Sequence, residues 1–183
     1  MFRYKYVIVT DLDEFIIPKP VHSYTELFSN ITDYARLQKV SKKPIAYVFK
    51  NEYYFLDLGK IDTKTPYLLT QAYTKRMPVS RRGYAVKSAT DPTKCVVMSN
   101  HNCIVTTNDV KKPWTLEVPD YVATNKHYKR CHFSRQKCDE MLQMFLTDNT
   151  ALKYGTQLLK RFQKKAEQLF NELDIDIFLS ENL

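Results

Sequence analysis

The sequence predicts an α/β domain, and three observations carry that reading. Short runs of apolar, β-branched and aromatic residues recur through the first two thirds, at 6–10, 45–49, 84–88, 95–98, 103–107 and 121–124. The last third switches to helical periodicity. Turn-forming residues separate the two kinds of segment. At 183 residues and 44% apolar, with only three glycines, the chain has the size and composition of one globular domain. Within it, residues 1–133 are expected to form the core that carries the chemistry, and 134–183 a set of C-terminal helices.

The first strand runs through Tyr6-Val7-Ile8-Val9-Thr10 and delivers three carboxylates within four residues, Asp11, Asp13 and Glu14. The strand's period of two puts Asp11 and Asp13 on one face and turns Leu12 into the core. Two carboxylates that close disfavour each other's charge unless a cation or strong donors hold them. Mg²⁺ or Mn²⁺ suits such a pair, because both prefer carboxylate oxygens together with substrate phosphates. A helix follows, capped by Ser23 or Thr25, with Leu27, Phe28, Ile31, Tyr34, Ala35 and Leu37 on one face. Lys42-Lys43-Pro44 ends it, and the strand 45–49 leads into Asn51, Glu52 and an extended Tyr53-Tyr54-Phe55. Residues 59–73 are turn-rich, and Asp91-Pro92 marks a further turn. Two strands of the middle third are separated by a loop carrying Lys112-Pro113-Trp114. Ser134 caps a helix with Cys138, Met141, Leu142 and Phe145 on one side. Asp148 or Asn149 caps a longer one, whose inner stripe is Leu152, Gly155, Leu159, Phe162, Ala166, Leu169 and Leu173.

The net charge is +8, with Lys75, Arg76, Arg81, Arg82, Lys87 and Lys94 close together and an acidic stretch over 174–181. Such a basic cluster suits a polyanion, whether a nucleotide diphosphate or nucleic acid. The interleaved aromatic pattern of a single-strand platform is missing, so nucleic acid is not an expected partner. No window approaches 18 uninterrupted apolar residues, and Met1 lies too near the first strand for a signal peptide. The four cysteines fall as Cys95 and Cys103, then Cys131 and Cys138, with seven and six residues between partners. Those spacings are not zinc-finger spacings. Disulfides and buried thiols both remain open.

Four features stand in order along the chain: Asp11-Leu12-Asp13-Glu14-Phe15 with Pro18, Lys87-Ser88 with Pro92, His101, and His127-Tyr128-Lys129. Together they resemble glycosyltransferase family 92, in which the last triplet is usually His-Tyr-Arg; here Lys129 keeps the charge and loses the planar fork. The resemblance covers most of residues 4–135. It implies a GT-A-like, Rossmann-like fold, a mixed sheet flanked by helices, and an inverting, metal-dependent transfer of galactose from UDP-galactose to a glycan. It also implies that Asp13, Asp11 and a late histidine, His127 first and His101 second, hold Mn²⁺ or Mg²⁺ on the diphosphate. Asp11 would also reach the donor's ribose, and Lys87 would stabilise the departing phosphates. The acceptor hydroxyl needs a base, for which Glu52 is the first candidate, ahead of Asp57 and Glu14. Family members are Golgi enzymes with one N-terminal membrane span, so a lumenal location follows from the resemblance. In that fold about a hundred residues building the nucleotide pocket precede the acidic motif. The chain is therefore expected to lack that half and to be inactive alone.

Two other readings compete. A haloacid-dehalogenase-type phosphatase also opens on a strand and Asp-x-Asp, with the first aspartate as nucleophile. Phe15 stands where that family has Thr or Val, however, and the only later acidic pair, Asp139-Glu140, falls in a helix. A non-catalytic glycan-binding relic is the third reading, favoured by the missing nucleotide half.

Overall fold

The computed structural model of the chain describes residues 4–37, 43–65, 67–108, 110 and 114–172. Lys42, the Lys112-Pro113 pair, Leu173 and the acidic stretch 174–181 lie outside the described residues. The elements run β1 (Val7–Ile8), β2 (Glu14–Pro18), α1 (Tyr24–Leu37), β3 (Ala46–Phe49), β4 (Asn51–Phe55), α2 (Leu69–Ala72), β5 (Lys75–Arg76) and β6 (Lys87–Thr90). The second half runs β7 (Cys95–Met98), β8 (Cys103–Thr106), β9 (Thr115–Glu117), β10 (Ala123–Lys129), α3 (Arg135–Leu142), β11 (Leu146–Thr147) and α4 (Gly155–Glu172). The fold is α/β, as predicted.

Two mixed sheets build the core. One has the order β1-β6-β3-β9 and the other β2-β10-β4, each with one parallel pairing. They are continuous through the chain, because β3 and β4 are one extended run broken only at Lys50. The Lys50 carbonyl accepts from the Asn125 amide at 2.8 Å, and its ammonium pairs with Asp120 at 2.9 Å. Two further two-stranded pairs, β5-β11 and β7-β8, are attached at the periphery.

Helix α1 forms where expected, and its start explains why. Ser23 Oγ accepts from the Glu26 amide at 3.2 Å while Glu26 Oε2 accepts from the Ser23 amide at 3.0 Å, a reciprocal capping box. Leu27 and Ile31 of this helix are fully buried against Ile16, Phe49 and Val118 of the sheets. A second cluster gathers Tyr53, Phe55 and Met77, with Phe133, Met141 and Leu142 packed on it from the α3 side. Ser134 caps α3 through the Lys137 amide.

Several expectations need correction. Leu12 is 99% exposed, because residues 11–14 form a turn and not a strand. The strand expected at 84–88 begins only at Lys87, since Gly83 and Ala85 adopt positive φ values of 74° and 49° just before it. The strand expected to end at Thr124 runs on to Lys129. Phe145 lies past the end of α3 and is exposed. The stripe on α4 is only partly covered: Phe162 rests on Tyr67 at 5.1 Å between ring centres, yet Phe162 and Leu169 both stay largely exposed. All four cysteines are paired, Cys95 with Cys103 and Cys131 with Cys138. Among the described residues, no helix is long and apolar enough to cross a membrane.

Candidate functional site

The acidic motif sits on a turn at the mouth of β2. The Glu14 amide donates to the Asp11 carbonyl at 3.2 Å, closing the turn, and the Tyr128 amide donates to the Asp13 carbonyl at 2.9 Å, fastening it to β10. The turn frees both aspartate side chains, which are 55% and 41% exposed. Immediately after it, β2 pairs antiparallel with β10 so that Glu14 lies opposite His127. His127 Nδ1 lies 3.0 Å from Glu14 Oε1, at an angle short of a straight hydrogen bond, and its Nε2 lies 3.4 Å from Asp13 Oδ2. The imidazole is thus held between a buried carboxylate and an exposed one.

Glu14 is the buried hub of this arrangement. Its Oε2 takes Lys87 Nζ at 2.6 Å and the Asp11 amide at 3.2 Å, and its Oε1 takes Asn125 Nδ2 at 3.3 Å. Burial by itself pushes the carboxyl pKa up, but the contacts from His127 and Lys87 outweigh it and hold Glu14 far below the usual carboxylate range. Lys87, fully buried, reaches from β6 of the other sheet and also holds Asp11 Oδ2 at 3.1 Å. Asn100 completes the set: it accepts from Lys87 through Oδ1 and donates from Nδ2 to Asp11 Oδ2 at 2.9 Å.

Glu52 lies elsewhere. In the β2-β10-β4 sheet, Glu14, His127 and Tyr53 are register partners, whereas Glu52 is paired with Lys126 and Phe15. Strand alternation therefore turns Glu52 to the opposite face from His127. There it is fully buried in an ion cluster. Its oxygens lie 3.1 Å from Lys19, 3.6 Å from Arg76, 3.6 Å from Lys126 and 2.8 Å from the Thr124 hydroxyl. Asp148 closes the cluster on Arg76 at 3.2 Å and Lys126 at 2.8 Å, so it serves as an anion here and not as the cap of α4. Glu52, expected to activate an acceptor, thus lies on the face away from His127 with both oxygens engaged.

A divalent cation held by protein groups alone would need several convergent donors. Among the described residues, no three His, Cys, Asp or Glu side chains converge as a complete cage. Asp13, which is open to solvent, and the mostly buried His127 do stand side by side, with the far nitrogen of the histidine 3.0 Å from the Glu14 carboxylate. That is the support a ligating histidine ordinarily has. Mg²⁺ and Mn²⁺ commonly take only one or two protein ligands and complete their shells with water and phosphate oxygens. The pair fits such an ion.

A family model settles the kinship: the one for glycosyltransferase family 92 matches residues 1–170. The chain belongs to glycosyltransferase family 92. A search of the curated proteins finds no match. Membership marks the chain as a glycosyltransferase by kinship, and such enzymes work on a nucleotide sugar and a glycan acceptor.

The family-92 motifs are distributed unevenly over the site. Asp11, Asp13, Glu14, Lys87 and His127 converge. His101 does not join them: its Nδ1 bonds the Val86 carbonyl at 2.7 Å, and no contact links it to either aspartate. Asp57 accepts from the Cys131 amide at 2.8 Å, anchoring the second disulfide loop. The basic cluster also separates. Lys87 and Arg76 are consumed by buried carboxylates, Arg82 pairs with Glu117 at 3.4 Å, and Arg81 lies over the Tyr84 ring. Asn125 and Asn100 were not foreseen as site residues. The only signal for either was an asparagine one or two residues before a motif histidine, which is too common to single out.

Proposed function

We propose that the chain carries the donor end of a metal-assisted glycosyl transfer, in a GT-A-like arrangement, using a UDP-sugar and Mn²⁺ or Mg²⁺. The observation that carries this reading is the Asp13–His127 pair, with Glu14 braced behind the imidazole. A bound divalent cation supplies Lewis-acid stabilisation of the charge that gathers on a diphosphate leaving group. The chain's own residues prepare for it. Glu14 keeps the His127 ring oriented with Nε2 outward, and Lys87 neutralises Glu14 and Asp11 from beneath so that the turn can hold several carboxylates at once. Asp11 Oδ1 has no protein partner among the described residues and is available to the donor's ribose. In this reading Lys87 acts through the carboxylates and not on phosphate directly, since its contacts are already taken by Asp11, Glu14 and Asn100.

Galactose as the sugar and inversion at the transferred carbon follow the family resemblance. A lumenal Golgi setting is supported by the two disulfides, which persist in oxidising compartments. The test is calorimetric titration of UDP in the presence and absence of Mn²⁺. Binding should require the metal and should vanish in Asp13→Asn and His127→Ala. Metal-independent binding, or unimpaired binding by both variants, would remove the reading. Hydrolysis of a generic aryl phosphate with Mg²⁺ would point to the phosphatase alternative instead.

A further inference from the structure

The β7-β8 hairpin lies outside both main sheets, yet its tip enters the site. The Cys95–Cys103 disulfide crosses it diagonally, from the start of β7 to the tip end of β8. Ser99 shapes the tip: its amide donates to the Asn102 carbonyl at 2.8 Å, and its hydroxyl accepts from the amides of His101 and Asn102 at 3.2 Å each. Two side chains then pin the tip to the sheet, His101 on the Val86 carbonyl and Asn100 on the Asp11–Lys87 pair. Only one orientation of the Asn100 amide serves both neighbours, its oxygen toward the ammonium and its nitrogen toward the carboxylate. Asp11 sits on an exposed turn, where a free carboxylate would sample several rotamers. With Oδ2 gripped from two directions, its other oxygen is left facing away from Lys87 and Asn100.

We propose that Asn100 is a positioning residue, fixing the Asp11 side chain in the single rotamer that presents Oδ1 to the donor. This rests on the reading of the acidic turn as the donor end of the site. The disulfide-closed hairpin is the arm that delivers the amide.

The test uses the full chain and two variants, Asn100→Ala and Asn100→Asp, with thermal melts run in parallel to confirm folding. Titration with UDP and MnCl₂ should show about tenfold weaker binding for Asn100→Ala, the scale of one hydrogen bond to a charged group. Asn100→Asp should bind more weakly still, because it sets a third carboxylate against Lys87, Asp11 and Glu14. A residue that merely filled space would give the reverse order, the isosteric aspartate being the milder change, and that order would overturn the proposal. A second readout needs no ligand. Side-chain coupling constants of Asp11 should report one χ1 rotamer in the wild type and averaging in Asn100→Ala. An unaltered Asp11 rotamer would overturn the inference whatever UDP does. Averaging without any UDP binding by the wild type would sink the donor-site reading and leave the positioning of Asp11 by Asn100 standing.

Discussion

Replacing Glu52 with glutamine separates a structural anion from a catalytic base. Glu52 is fully buried, and its cluster sets three cations, Lys19, Arg76 and Lys126, against two carboxylates, Glu52 and Asp148. Burial already pushes the Lys126 ammonium pKa down, and Glu52 and Asp148 are what oppose it. Removing the Glu52 charge leaves Asp148 facing Arg76 and Lys126 and takes the carboxylate from Lys19, with Lys126 wholly inside the protein. Breaking a buried pair from one side costs about 3–5 kcal/mol. For a chain of this size that lowers the melting temperature by roughly 6–20 °C, and it removes a large share of a typical total stability of about 5–15 kcal/mol. Urea unfolding followed by far-UV circular dichroism gives the number. Mn²⁺-dependent UDP binding, measured at a temperature where the variant is folded, should be nearly unchanged, because Glu52 points away from His127. A variant within about 1 kcal/mol of wild type that nonetheless abolished glycosyl transfer would refute this reasoning and restore Glu52 as a chemical participant.

Other outcomes follow from the same contacts. Leu12→Ser should change stability by less than about 0.5 kcal/mol in a denaturant titration, since the side chain is 99% exposed; a loss of several kcal/mol would return the turn to a strand. Cys95→Ser combined with Cys103→Ser should cost about 2–3 kcal/mol by loop-closure entropy and loosen the hairpin that carries Asn100. That is checked by comparing reduced and oxidised melts. The stability contributed by Glu14 should depend on pH. Its folded-state pKa lies below its ordinary value of 4.5, so the contribution is complete above that value and drains away as the pH falls beneath it. Acid unfolding of Glu14→Gln should therefore be shallower than that of wild type below pH 4.5.

How much of this was legible depended on whether the relevant partner lay nearby in sequence. Ser23 and Ser134 announced their helices because a cap and its target are three residues apart. The closeness of Asp13 to His127 came from motif order and not from residue chemistry, since the two sit on elements joined by a β2–β10 register that no local pattern encodes. The turn at 11–14 was hidden by the β-branched run before it, which reads as a strand that continues. Glu52 was misplaced for a related reason. A glutamate beside a strand looks solvated until its neighbours are known, and Lys126 and Asp148 lie 74 and 96 positions later. Strand β10 was cut short because Thr-Asn-Lys-His-Tyr-Lys is too polar to resemble a central strand.

That polarity is itself informative once the register is known. β10 is the middle strand of its sheet, and six of its seven residues are polar or aromatic with a polar tip. Burying such a sequence is costly unless every group finds a partner. The strand sorts its residues between two faces, which pairs most of them and leaves Asn125 Oδ1, His127 Nδ1 and the Tyr128 hydroxyl buried without a hydrogen bond. Asn125 and His127 face Asn51 and Glu14 on one side, and Thr124 and Lys126 face Glu52 and Asp148 on the other. One polar set is sealed by Lys19 and Arg76 and holds the sheet's layers in place. The other ends on a turn whose two aspartates remain open to solvent. Chemistry belongs on the open side, because a ligand can still displace water there while the groups behind it are already fixed.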